Sequence, residues 1–279
     1  MTSPHQPDDA YFDVMAEQAR RHWWYRARRA LAHEVLVSDG PPAGGAIDVG
    51  CGTGENMAML ADEGRRMAVG TDLSVYALRH AVGEGRPVLA ARAEDLPFAS
   101  GAAAVLASMD VIEHLDDDAL ALSEYRRVLH PGGALLITVP AYMALWSEHD
   151  EWAAHRRRYR AAQLRAVVEG AGFVVTRCTY YNSFLVPPAW LLRRTPLRRL
   201  VKGSDDEVGA SSPVVDRVFS TLAAIERWWA RRWRVPFGLS ILLVARKPLA
   251  GSVPGPRRRS RAPLPCSSPA RGSSSDGAR

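Results

Sequence analysis

The stretch Ala46-Ile-Asp-Val-Gly-Cys-Gly-Thr-Gly-Glu-Asn56 decides how this chain is read. Ala46 to Val49 is a short apolar run interrupted by one acid, Asp48. Gly50, Gly52 and Gly54 follow at every second position, and Asn56-Met-Ala-Met-Leu-Ala61 then spaces apolar residues near i, i+3 and i+4 among good helix formers. The pattern predicts strand, glycine turn, helix. Glycine is needed where the backbone turns tightly and where a ligand must touch it without a Cβ between. Such a turn leaves backbone N–H groups for an electron-rich ligand edge. Spacing excludes two common ligands. A dinucleotide fingerprint needs glycine where Glu55 stands, and a phosphate-binding loop needs Gly-Lys-Ser/Thr, which is absent.

Outward from that turn, apolar runs recur at the spacing of alternating strands and helices. Residues 67–71 predict a second strand ending at Asp72, and 87–91 a third, followed by Ala93-Glu94-Asp95-Leu96-Pro97-Phe98. Residues 103–109 predict a fourth strand buried on both faces. Asp110-Val-Ile-Glu-His-Leu115 closes it at its carboxyl end, where open α/β sheets bind ligands. Asp116-Asp117-Asp118 opens a helix to Leu129, His130–Gly133 reads as a turn, and 134–139 as a fifth strand. A helix over 161–171, a sixth strand over 173–181 and a seventh, antiparallel one over 239–246 complete the set. An acid at Asp72 can accept two hydrogen bonds from a ribose diol; it can also cap the helix starting at Ser74, although Ser74 can do that itself.

Taken together, Asp48–Gly54, Asp72, Ala93–Phe98 and Arg127-Val-Leu-His-Pro-Gly-Gly-Ala-Leu-Leu-Ile137 resemble the class I S-adenosylmethionine (SAM) methyltransferases, in their type 11 and ubiquinone-pathway O-methyltransferase branches. The resemblance implies an α/β fold, a seven-stranded Rossmann-like sheet in the order 3-2-1-4-5-7-6. It also implies a helical N-terminal lid over 1–40, a SAM-binding core over 41–183, a helical insertion over 184–237 and a last strand within 238–249. The cofactor is SAM, and its contacts fall on Asp48, Gly50, Cys51, Gly52, Gly54, Asn56, Asp72, Leu73, Glu94, Asp95, Leu96, Asp110 and Val111. Asp95, with Glu94 second, meets the adenine amino group.

The acceptor side is drawn from Trp23, Tyr25, His114, Trp146, Arg158 and Tyr159. Three adjacent aromatics, Trp23-Trp24-Tyr25, are more than one core face of a helix needs, so this helix either packs over the sheet edge or walls the pocket. His149 and His155 are the candidate bases for removing the acceptor's proton. Asp110-x-x-Glu113-His114 with the later His155 resembles the Glu-x-x-Glu-His … His set by which ubiquinone-pathway and small-RNA methyltransferases hold a divalent metal, with Asp for the first Glu. Mixed carboxylate and imidazole donors suit Mg²⁺, Mn²⁺ or Zn²⁺; alternatively Glu113 and His114 only line the cofactor pocket. The arginines 156–158 could fix an anionic acceptor group.

Composition narrows the remainder. Six arginines and one acid place most of the net charge of +6 in residues 251–279, leaving residues 1–250 nearly neutral, which argues against a nucleic-acid partner. That Gly/Pro/Ser/Arg-rich tail, 250–279, reads as disordered. The three cysteines, Cys51, Cys178 and Cys266, fit no zinc spacing. The polar, acidic N-terminus reads as cytoplasmic rather than secreted. Residues 184–200 are apolar, then basic, with a Trp at the join, a pattern suited to peripheral membrane contact or to a helical cap. The expected activity is methylation of a small, apolar acceptor, on O or N, in secondary metabolism or another biosynthetic pathway. The alternatives are a lipid or polyprenyl-type acceptor at a membrane surface, and a catalytically silent SAM-binding subunit. Acceptor identity and oligomeric state are not legible.

Overall fold

A computed structural model describes residues 16–62, 64–188 and 212–249. The first strand, β1 (Ala46–Val49), pairs in parallel with β2 (Ala68–Asp72) on one side and β4 (Ala103–Met109) on the other. β3 (Val88–Ala90) adds beyond β2, and β5 (Leu129–Pro140) lies parallel to β4. β7 (Ser240–Arg246) then inserts antiparallel between β5 and β6 (Val174–Tyr181). The order is β3-β2-β1-β4-β5-β7-β6, the mixed sheet that the resemblance implied.

Helices cover both faces because the central strands are apolar on both. Every residue of β4 is buried. Leu106, Leu135, Ile137, Ile241 and Leu243 meet the helices α4 (Asp118–Val128) and α6 (Ala161–Gly170) through Leu122, Tyr125, Leu164 and Val168. Their neighbours Val105, Ala107, Leu136, Leu242 and Val244 face the other way, onto Leu31, Ala32, Val35 and Leu36 of α1 (Trp23–Asp39). That packing corrects the reading of the N-terminal helix as a lid alone: α1 is a layer of the core. Residues 16–21 are also helical, and the break at His22 is capped by its own ring, which accepts from the Trp24 amide at 3.3 Å. Gly40, at φ 68°, ends α1 in the left-handed conformation.

Three local expectations change. The helix after the glycine turn, α2 (Met57–Leu60), is only four residues long. His130–Gly133 opens β5 rather than forming a separate turn. Between β5 and α6, a stretch for which the sequence offered no element, lies a short helix, α5 (Glu148–Trp152), held by a Ser147–Asp150 capping box. Two further helices are α3 (Val75–Gly83) and α7 (Pro213–Ala230), the latter placed against α1. No helix among the described residues is long and apolar enough to cross a membrane. The expectations for residues 1–15, for 189–211 of the insertion and for the tail lie outside the described residues.

The sheet's antiparallel edge depends on a close backbone approach at Gly238, where a Cβ would sit 2.2 Å from the Tyr181 carbonyl oxygen. Gly238→Ala is therefore expected to destabilise the fold by about 1–3 kcal/mol, read as a melting temperature several degrees lower. An unchanged melting temperature would contradict this placement of the last strand.

Candidate active site

The glycine turn after β1 is drawn in by Asp72. The Gly52 amide donates to one oxygen of that carboxylate at 2.8 Å and the Ser74 amide to the other at 2.8 Å. Asp72 thus fastens the turn and starts α3, while Ser74 supplies the cap proper by accepting from the Ala77 amide. Gly50, Gly52 and Gly54 have φ of 68°, 54° and 85°, a region that only glycine enters at no cost. A Cβ on Gly50 would lie 2.4 Å from Val111, so Val111 closes one side of the turn. A Cβ on Gly52 would meet nothing, so that side is open to a ligand.

Beneath the turn Asp48 is fully buried, and neither carboxylate oxygen has a hydrogen-bond partner among the described residues. Burial pushes its pKa up to about 7; Arg28 opposes the rise and Asp72 adds to it. An orphaned acceptor beside an open glycine turn fits the ammonium end of an amino-acid ligand such as SAM. The Asn56 amide oxygen and one oxygen of Glu94 are also buried without partners. Asp95, the first choice for the adenine contact, is exposed, and Glu94 is half-buried. Leu96 is buried, with its amide donating to Glu124 at 2.7 Å, whereas Leu73 is largely exposed. The Cys51 thiol is pushed up by burial and then by Asp48 and Asp72, and it packs against Gly70, where a Cβ would come 2.6 Å from its sulfur.

At the end of β4, Asp110 has φ 58° and pairs with Arg28, a buried side chain of α1; Thr138 Oγ1 donates to its other oxygen at 2.9 Å. Arg28 also lies over the Tyr25 ring, 5.3 Å from its centroid. This residue was missed in the sequence because nearly all of the 36 basic residues are arginines and none stands out. Only its position one helical turn from Tyr25, on the side of α1 turned toward the core, could have drawn attention to it.

Three of the four expected metal ligands come together. A Glu113 oxygen and one ring nitrogen each of His114 and His155 lie within 4.8 Å of one another. Asp110 is not among them, because Arg28 and Thr138 hold it. Glu113 is fully buried with both oxygens unpartnered among the described residues, and its pKa is raised well above the usual range by burial and then by Asp110. His114 is held below its ordinary value by burial and by His155, 4.7 Å away ring to ring. His155 Nδ1 donates to Asp150 at 2.8 Å, which fixes the ring and leaves Nε2 with its lone pair. Burial alone would raise the Asp150 pKa; hydrogen bonds from His155 and Arg158 outweigh it and hold the carboxyl well below the usual range. His149, the other candidate base, is half-buried with its ring 6.2 Å from His155. An unpartnered carboxylate beside two imidazoles fits a divalent cation.

Several acceptor-side expectations are corrected. Arg158 grips Asp150 with Nε at 2.6 Å and Nη2 at 2.8 Å and is buried, so it supports α5 rather than an acceptor. Tyr159 is buried with its hydroxyl donating to Asp118 at 2.6 Å. Arg156 pairs with Asp116 and the His114 carbonyl, and Arg157 with Asp118 and the Leu115 and Asp116 carbonyls. The arginines pin the 155–160 segment to the loop after β4. Trp23 is buried against Phe219 and Phe184, at 5.1 and 6.0 Å. Tyr25 and Trp146 stay half-buried.

With this geometry in view, comparison with known proteins points to one family. Residues 47–137 match the family model described as a methyltransferase domain. That match, with the relatives below, supports a class I SAM methyltransferase, although the chain spans less than two thirds of the length of most of the curated relatives it matches. Over 166 residues it is 31% identical to a probable S-adenosylmethionine-dependent methyltransferase of Mycolicibacterium smegmatis, covering 56% of this chain and 62% of the relative. It is 37% identical over 119 residues to a ubiquinone/menaquinone biosynthesis C-methyltransferase of Syntrophotalea carbinolica, covering 40% of this chain and 49% of that one. The methyltransferase fold is shared with phosphoethanolamine N-methyltransferase 2 of Haemonchus contortus, at 18% identity and a TM-score of 0.57, over 88% of this chain and 58% of that one. SAM is the cofactor of this methyltransferase family.

Two outcomes follow from the carboxylates. The native state of this methyltransferase holds the Asp48 proton to about pH 7, whereas the unfolded chain releases it near about pH 4, so folding stability without ligand falls as pH rises between those values. Asp48→Asn should raise the ligand-free melting temperature at pH 8 and progressively less toward pH 4; an equal shift at both pH values would contradict the burial argument. Asp72→Ala should weaken SAM binding at least about tenfold, the worth of one charge-assisted hydrogen bond, in equilibrium dialysis. Undiminished affinity would remove Asp72 from the cofactor site.

Proposed function

We propose that this protein transfers the methyl group of SAM to a hydroxyl of a small, apolar acceptor. The observation that carries the reading is the Glu113–His114–His155 cluster, set beyond the carboxyl end of β4 where open α/β sheets bind ligands and backed by Asp150. Bound SAM supplies an electrophilic methyl on a cationic sulfur. Asp72, held by Gly52 and Ser74, keeps lone pairs for the ribose hydroxyls. Asp48 offers an acceptor, and Arg28, held by Asp110, a donor, for the zwitterionic methionine end. Asn56 and Glu94 complete the cofactor side.

On the acceptor side Glu113, His114 and His155 would hold a divalent ion, whose charge lowers the pKa of an acceptor hydroxyl. His149, with its ring 6.2 Å from that of His155, would then serve as the base. Support for an apolar acceptor comes from a cavity of 380 Å³ lined by Tyr142, Met143, Ala144, Leu145, Arg160, Gln163 and Val186, mostly apolar, between the end of β5, the start of α6 and the residues after β6. Geometry favours oxygen over nitrogen here because a metal cluster serves a hydroxyl, which must lose its proton, more than an amine.

The experiment is production of S-adenosylhomocysteine from SAM with a panel of apolar phenols and alcohols, before and after chelation. Activity should fall by about two orders of magnitude with chelator, as removal of an ionising group does, and return with Mg²⁺ or Zn²⁺. Full turnover in excess chelator would remove the metal. No turnover with any acceptor, despite SAM binding, would point to a silent SAM-binding subunit.

A further inference from the structure

α7 packs the wrong way round for a helix buried in its own protein. Its inward side carries small and polar groups. Ala223 and Ala230 are buried, and Asp216 accepts from the Trp23 amide at 3.1 Å and from Arg26 at 2.7 Å. Glu226 accepts the Asn182 and Ser183 amides at 2.5 and 2.7 Å. Phe219 is the one large residue turned inward, against Trp23 and Phe184. The bulky apolar residues instead point out: Val214 is 72% exposed, Val218 50%, Ile225 60% and Trp228 52%. Trp229 lies beside them on the helix, and Trp233 and Phe237, beyond its end, are exposed as well. Trp233 gathers its neighbours, with ring centroids 4.6 Å from Trp229 and 6.1 Å from Trp228. A strip of this extent is more than scattered surface apolarity and marks an interaction face.

The charges around the strip say what covers it. Both acids of α7 are spent inward on α1 and on the residues after β6, as above. Of the basic residues, Arg227 is half-buried and pairs with Glu34 at 3.4 Å, whereas Arg217, Arg232 and Arg234 are exposed, as is Arg231, which reaches the same Glu34 at 3.8 Å. Arg232 lies over the Trp228 ring, 4.6 Å from its centroid. Tryptophan beside arginine, at the edge of an aliphatic helix face, is the composition that lies in the headgroup layer of a bilayer. A second copy docking face to face would oppose these cations to themselves. The tail, with a net charge of +5 over 251–279, would be repelled too. We infer that the outward face of α7, with Trp233 and Phe237, docks this enzyme peripherally on an anionic lipid surface, α7 lying in the interface plane.

The test reads binding rather than activity, so it stands apart from the reading of the active site. The full chain is sedimented with vesicles of phosphatidylglycerol and phosphatidylcholine, and with phosphatidylcholine alone, at low and high salt. Tryptophan emission is followed in parallel. Expected are binding to the anionic vesicles with a blue shift, weakening with salt. The triple variant Trp228→Ala, Trp229→Ala, Trp233→Ala should partition about tenfold more weakly or worse while keeping its melting temperature, since the three rings are exposed. Arg232→Glu with Arg234→Glu should lose the preference for anionic lipid. The inference is overturned by absence of binding to anionic vesicles or by undiminished partition of the triple variant. It is equally overturned if binding is lost with Trp190→Ala but not with the α7 variants, or if the strip is covered by a dimer that persists without lipid.

Discussion

Two backbone amides, those of Gly52 and Ser74, converge on the carboxylate of Asp72, and the cofactor crevice depends on that convergence. One bond ties the glycine turn after β1 to the end of β2; the other sets the start of α3. With the turn drawn across, Gly50 lies against Val111 at the end of β4, and the open side of Gly52 faces the space between. A side chain longer or shorter than aspartate would not reach both amides, and a residue with a Cβ at Gly50 or Gly52 would strain the backbone that presents them.

The site's other carboxylates divide into two groups by environment. Asp150 and Asp110 are saturated by arginines, a histidine and a threonine, and they position elements: Asp150 orders α5 and aims His155, and Asp110 joins α1 to the sheet. Asp48 and Glu113 are buried with empty acceptor oxygens and raised pKa values. A buried, unpaired carboxylate costs free energy unless a cation or donor arrives. One lies beneath the glycine turn and the other beside two imidazoles.

The strands and the glycine turn were legible because parallel strands buried on both faces read as unbroken apolar runs, and glycines at alternate positions have few other uses. The sheet order came from the resemblance, not from the runs themselves. The acceptor side was not legible. Arg156, Arg157, Arg158 and Tyr159 look like ligand-binding residues in sequence, yet their partners are Asp116, Asp118, Asp150 and loop carbonyls, most of them some forty residues upstream. Local pattern carries no information about such pairings. α5 escaped because five residues are too few for a helical period. α7 was legible as a helix but not in orientation, since periodicity locates an apolar face without saying whether protein or something else covers it.

The most direct test of the account is titration of S-adenosylhomocysteine, the demethylated product, into the full chain by calorimetry. The account predicts a saturable exchange of heat at one ligand per chain. No heat at any concentration, together with no change in the melting temperature on adding the ligand, would contradict it at the crevice on which everything else rests.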